Sequence, residues 1–287
     1  ATASHYDCGT ALAEACLIAL RKNKKSKKIA VSSLTHPSHR QIIETYIVPA
    51  GYEMVEIPYN KEGLTDLSAL KDMKDIAGIA VQSPNFLGNI EPLAEFKKAA
   101  NEVNGMFIVS FSEALSYGLL KNPGSYGADL VAGEGQSLGI AKSFGGPGLG
   151  LLAGTQKRMR DLPGRLIGRT KDANGKDGFV LTLSTREQHI RREKASSNIC
   201  SNNGLNAMTA GMYLATVGKI GIREIALQNH DKAEYLKKCL EASGFQAAFS
   251  TPFFNEFVMK VPQGFEQKRK DLIKNKYGPL QEQNVKT

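Results

Sequence analysis

The sequence contains no tryptophan, only four cysteines, and aromatic residues at 7% of its 287 positions. Cys8, Cys16, Cys200 and Cys239 never approach the C-x-x-C spacing, so neither a zinc ribbon nor a thioredoxin-type motif is present. Scattered thiols in a chain this size read as reduced, which places the protein in the cytoplasm. No apolar run reaches membrane-spanning length. There is no G-x-x-x-x-G-K-[ST] phosphate loop. Five histidines offer one close pair, His36 and His39, with Pro37 between them. Pro37 argues against both lying on a regular helix, and no further ligands stand nearby, so no metal site is expected.

What is present is an ordinary globular composition, 41% hydrophobic and 23% charged, with a net charge of +9. The charge is local. Residues 21–28, RKNKKSKK, follow the amphipathic stretch TALAEACLIAL and precede IAVSSL. Cations are favourable at a helix C-terminus, and no aromatics interleave them, so this is a solvated helix end rather than a nucleic-acid surface.

Short Val/Ile/Ala-rich runs alternate with helical patterns. KKIAVSSL, YEMVEIPY, IAGIAVQSP, MFIVSF, GADLVAGEG and GPGLGLLAG read as strands. SHRQIIETYIVPAG, LTDLSALKDM and EPLAEFKKAANEVNG read as helices between them. Strands apolar on both faces and joined by helices predict a parallel sheet covered on both sides, a three-layer α/β/α domain. After about residue 155 comes a basic, glycine-containing excursion, then FVLTLSTREQHIRREKASSNICSNN, read as a strand running into a charged helix. A long helical stretch follows, with a break expected at Gly218–Gly221, and then the paired strands FQAAFS and FNEFVMKVP. These divide the chain into a large domain, 1–218, and a partial α+β small domain, 219–287. The abrupt start predicts a missing N-terminal segment, and the polar C-terminal tail a partial end.

Gly133, Gly135 and Gly139 form G-x-G-x-x-x-G, one residue off the dinucleotide fingerprint and late in the sheet. The neighbouring GGPGLG reads as a tight turn that lets the backbone enter a closely packed strand.

The segment GADLVAGEGQSLGIAKSFGGPGLG, with YDCGTALAEA, THPSHRQIIETY, VQSPNFLGNIE, LPGRLIGRT and GFVLTLSTREQHIRREKASSNICSNN, resembles the glycine-cleavage P-protein family, more narrowly subunit 1 of its two-subunit form. The resemblance covers nearly all the chain to about residue 262. It implies the fold-type-I architecture of pyridoxal-phosphate enzymes. It also implies a complex that decarboxylates glycine and passes the remaining aminomethyl group to the lipoyl arm of H-protein. In the two-subunit form the Schiff-base lysine and the pyridoxal phosphate belong to subunit 2, so subunit 2 and lipoylated H-protein are the implied partners, with no nucleic acid and no membrane.

Counting back from Pro147, the lysine position falls on Gln136. An amide nitrogen is not nucleophilic and forms no Schiff base. The rival is Lys142, six residues on, whose ordinary reading is an exposed turn lysine. Glu113 lies near where such enzymes hold a carboxylate against the pyridinium nitrogen; in the other register that position is Ser112, which carries no charge. Asp7, Cys8, Gly9 and Thr10 open the first helix, the region that helps hold phosphate in catalytic relatives. On their own Asp7–Thr10 read as a helix cap; the resemblance marks Gly9, Thr10 and Glu113 as candidates for vestigial cofactor contacts. Arg165, Arg169, Arg186, His189, Arg191 and Arg192 lie in the most family-like segments. Arginine forks suit carboxylates and phosphates, and the resemblance assigns these residues to the partner interface. Two other functions stay open: an independent pyridoxal-phosphate enzyme using Lys142, and a non-catalytic scaffold that binds H-protein.

Overall fold

A computed structural model describes residues 1–164, 166–182, 188–195, 197, 199 and 202–274. Its centre is a seven-stranded sheet. The strands are β1 (Thr2–His5), β2 (Lys28–Ser32), β3 (Glu53–Ile57), β4 (Ile76–Gln82), β5 (Met106–Phe111), β6 (Leu130–Glu134) and β7 (Gly150–Gly154), in the spatial order β1-β7-β6-β5-β4-β2-β3. The four pairings from β3 to β6 run parallel, and β7 pairs antiparallel with both β6 and β1. All seven residues of β4 and all six of β5 are buried, which explains their largely apolar sequences.

Helix α1 (Cys8–Lys22) packs with α2 (Pro37–Ile47) on one face of the sheet, burying Leu12, Cys16 and Leu20 beside Ile43 and Ile47. Helix α3 (Leu93–Glu102) and a 3-10 turn at Leu67–Asp72 cover the other, with Phe96 stacked 6.3 Å from Phe107. This gives the expected three layers. The stretch LTDLSALKDM differs from expectation, forming a 3-10 turn capped by Asp66 rather than an α-helix. Six residues are too few for the sequence to separate the two. Pro37 occupies the first turn of α2, where its missing N–H costs nothing, with His36 as the cap just before the helix. His36 and His39 therefore sit together at one helix end, ring centroids 4.8 Å apart. Among the described residues no group of three or more His, Cys, Asp or Glu is placed to hold a metal.

Beyond β7 the basic excursion is a hairpin, β8 (Leu166–Lys171) paired with β9 (Asp177–Thr182), followed by the short helix α4 (Gln188–Arg191). Helix α5 (Gly204–Ala242) bends at Gly218, whose φ of 61° and ψ of −176° are not helical. It seats on the 3-10 turn Ala114–Gly118, where a Cβ on Gly118 would lie 2.7 Å from that of Ala226. Strands β10 (Gln246–Ala247) and β11 (Met259–Lys260) pair antiparallel before helix α6 (Phe265–Lys274). No helix among the described residues is long and apolar enough to cross a membrane.

Candidate functional site

In an open parallel sheet the carboxyl ends of the strands and the N-termini of the returning helices meet along one edge, and ligands bind where the strand order reverses. Here the chain moves outward from β2 to β3, then returns to the other side of β2 through β4, β5 and β6. The carboxyl ends at that edge are Gln82, Phe111 and Glu134. The N-terminus of α1 is brought against them: the Cys8 thiol donates to the Phe111 carbonyl at 3.5 Å.

Asp7 caps α1. Its carboxylate accepts from the Thr10 amide at 2.8 Å and the Thr10 hydroxyl at 3.1 Å, while the Asp7 amide donates back to Thr10 Oγ1 at 3.3 Å. Gly9 faces packing: a Cβ there would lie 2.5 Å from Ile42. The next free amide of the helix, on Cys8, donates to the carboxylate of Glu134 at 3.2 Å. The same carboxylate accepts from the amide of Leu149 at 2.8 Å and that of Gln136 at 3.0 Å. Three main-chain donors from three segments thus converge on one side chain. Gly148 leaves the space it needs, since a Cβ there would lie 3.1 Å from Glu134 Oε1. Burial, then the charges of Glu134 and Asp7, push the Cys8 thiol far above the ordinary cysteine range.

Gln136 follows directly. Its side-chain amide donates to the Ile140 carbonyl at 2.6 Å, folding the side chain back over its own loop. Lys142 is exposed and begins a turn closed by the amides of Gly145 and Gly146 on its carbonyl. Asn203, the cap of α5, donates to the carbonyls of Tyr6 and Gly148, both at 2.8 Å. Tyr6, Asp7, Glu134, Gln136, Lys142 and Asn203 line one open cleft of about 650 Å³. The structure therefore places both lysine-position candidates in the same cleft, only one of them an amine.

The remaining sequence candidates lie elsewhere. Glu113 caps the 3-10 turn Ala114–Gly118, accepting from the Leu115 amide at 2.8 Å. Ser112 faces Gln82, whose amide reaches its hydroxyl at 3.5 Å. Arg169 is on the exposed hairpin and pairs with Asp177 across the strands. His189, Arg191 and Arg192 lie in and just after α4, with Arg192 in a left-handed conformation at φ 51°. Arg165 and Arg186 lie outside the described residues. Glu134 and Asn203 are not legible in the sequence, because Cys8 and Leu149 for the one, and Tyr6 and Gly148 for the other, are brought to them only by the fold.

A family profile for the glycine cleavage system P-protein matches residues 1–284. The chain belongs to the glycine cleavage system P-protein family. It is 50% identical over 270 residues to a probable glycine dehydrogenase (decarboxylating) subunit 1 of Desulfotalea psychrophila, covering 94% of this chain and 60% of that protein. A protein of the same name from Listeria welshimeri is 49% identical over 275 residues, covering 95% of this chain and 61% of the relative. The chain thus spans about three fifths of the length of the curated relatives it matches. Among solved structures, a glycine decarboxylase (P-protein) of the glycine cleavage system in inhibitor-bound form superposes with a TM-score of 0.88 at 40% identity. That match covers 97% of this chain and 63% of the other. The apo cysteine desulfurase of Thermococcus onnurineus NA1 shares the fold at 20% identity, with a TM-score of 0.62 over 96% of this chain and 67% of that one. The P-protein chain described here therefore has the fold-type-I architecture that its sequence implied.

Proposed function

We propose that this chain is the cofactor-free subunit of a cytoplasmic two-subunit glycine decarboxylase. In this reading the complex converts glycine and lipoyl H-protein to aminomethyl-lipoyl H-protein and carbon dioxide. Pyridoxal phosphate and its lysine reside in subunit 2. The observation that carries the reading is Gln136: at the lysine position stands an amide, already engaged with the Ile140 carbonyl. The rest of the cleft fits the cofactor no better. The helix N-terminus that would meet a phosphate is engaged by Glu134, and Glu113 caps a turn. No step of the reaction is assigned to this chain. Its share is to complete the assembly, with the arginines of the hairpin and α4 facing subunit 2.

Lys142 supports one rival, an independent pyridoxal-phosphate enzyme, because it opens onto the same cleft. One experiment separates the two. The purified chain is incubated with pyridoxal phosphate, reduced with borohydride and mapped by mass spectrometry. The subunit reading expects no stoichiometric label, and glycine decarboxylation only on mixing with subunit 2 and H-protein. A stoichiometric label on Lys142 would overturn it.

A further inference from the structure

Fold-type-I cofactors carry a phosphate, and the end of α1 is where amides are free to meet one. In this chain those donors are not waiting for a ligand. The amides of Cys8, Gln136 and Leu149 belong to α1, the loop after β6 and the approach to β7, and all three point at the Glu134 carboxylate. A carboxylate and a phosphate present the same feature to such donors, an anionic oxygen at hydrogen-bond distance. The fit is built in from several sides. The amide of Gly135 is used on the Leu149 carbonyl at 2.7 Å, which fixes the loop so that its neighbour faces Glu134. The carbonyl of Gly148, the residue that gives Glu134 its room, is held by Asn203 and Asn206 at 2.8 and 2.9 Å. Asp7 adds a second negative charge at the cleft mouth.

We propose that Glu134 is an intramolecular anion that occupies the main-chain anion site of the cleft and excludes phosphate from it. This rests on the cofactor-free reading and deepens it. The loss of cofactor binding is then not only a missing lysine but an active block, in which a tethered carboxylate outcompetes any free anion. Tethering fixes its effective concentration high, and its charge repels a second anion. Glu134 acts here as a positioning and excluding residue, not a catalytic one.

The test uses the full chain and inorganic phosphate, by calorimetric titration at constant ionic strength with sulfate-free chloride as the control salt. The wild type is expected to show no saturable phosphate binding. Glu134→Ala, which uncovers the three amides, is expected to bind phosphate at least tenfold more tightly than wild type, and its thermal midpoint to rise with phosphate but not chloride. Glu134→Gln keeps the side-chain volume while removing the charge, and is expected to fall between the two. It keeps the test open if the alanine variant does not fold. Saturable phosphate binding by wild type that Glu134 variants leave unchanged would overturn the proposal, as would folded variants that bind no phosphate. Borohydride labelling of the wild type bears on the cofactor-free reading alone, so the two failures are distinguishable.

Discussion

The Glu134 carboxylate joins the N-terminus of α1, through the amide of Cys8 at 3.2 Å, to a strand 126 residues away. With the Gln136 and Leu149 amides it makes three charge-assisted bonds. Removing the acceptor strands all three donors at a half-buried site. Each hydrogen bond to a charged group contributes about 1.5–3 kcal/mol, but water can enter this cleft and recover part of that. Glu134→Ala should therefore lose about 2 kcal/mol in phosphate-free buffer, measured by urea unfolding with an unchanged m-value. A loss within 0.5 kcal/mol, on the order of an ordinary surface substitution, would show that the three bonds do not act together.

The cysteines give a second, independent check. Cys8 and Cys16 are 2% and 0% exposed, and burial holds both thiols up, Cys16 to about 12. The thiolate is the reactive form, so neither should react near neutral pH, whereas Cys239 is exposed. Brief labelling of the native chain with an alkylating reagent should modify Cys239 and spare Cys8 and Cys16 until denaturant is added. Peptide mapping reads the result, and early modification of Cys8 would mean that the N-terminus of α1 opens to solvent.

Much of this architecture was legible in the sequence, for reasons that can be named. Buried strands such as IAGIAVQ and MFIVSF announce themselves because nearly every position is apolar, and the bend near Gly218 because glycine alone tolerates its dihedral angles. Strand β1 was invisible: Thr2–His5 has no apolar run and becomes a strand only by pairing with β7. Of the β8–β9 hairpin only the second strand was legible, in the run FVLTL; β8, LIGRTK, carries no sustained apolar run and merged into the basic excursion. At the cleft, Gln136 could be found by counting along a motif, but Glu134 could not. Its three partners lie at positions 8, 136 and 149, and only the fold brings 8 and 149 to it.

His5 makes stability depend on pH. It is 1% exposed, and burial lowers its pKa from 6.5 to about 4, with the charge of Asp7 opposing the shift. Between those two values the unfolded chain binds a proton that the folded chain refuses. The stabilisation is thus fully present above pH 6.5 and is lost as pH falls toward 4. The full shift corresponds to about 3 kcal/mol. Glu14 and Glu91, whose pKa values burial raises, act with the opposite sign, so total stability mixes the two. A comparison with His5→Asn removes their contribution. Relative to that variant, the wild type should weaken progressively from pH 6.5 to pH 4.5 in urea titrations. Parallel curves would mean that His5 titrates normally in the folded chain.

On the proposed reading, supplying an amine at Gln136 alone should not create a cofactor site. Gln136→Lys would place an ammonium-bearing chain in a cleft already lined by Asp7 and Glu134, and ion pairing with Glu134 is its nearest outlet. The substitution also gives up the Gln136 bond to the Ile140 carbonyl, a cost of about 1 kcal/mol. Nothing in it frees the Cys8 and Leu149 amides, and Ser112 still offers no charge at the end of β5. Gln136→Lys should therefore fold, lose about 1 kcal/mol, and take up little pyridoxal phosphate on borohydride reduction. Adding Glu134→Ala to it should raise labelling at position 136, because the phosphate then has donors to meet. Labelling of Gln136→Lys that is as complete as that of the double variant would mean that the lysine, and not the Glu134 block, was all the cleft lacked.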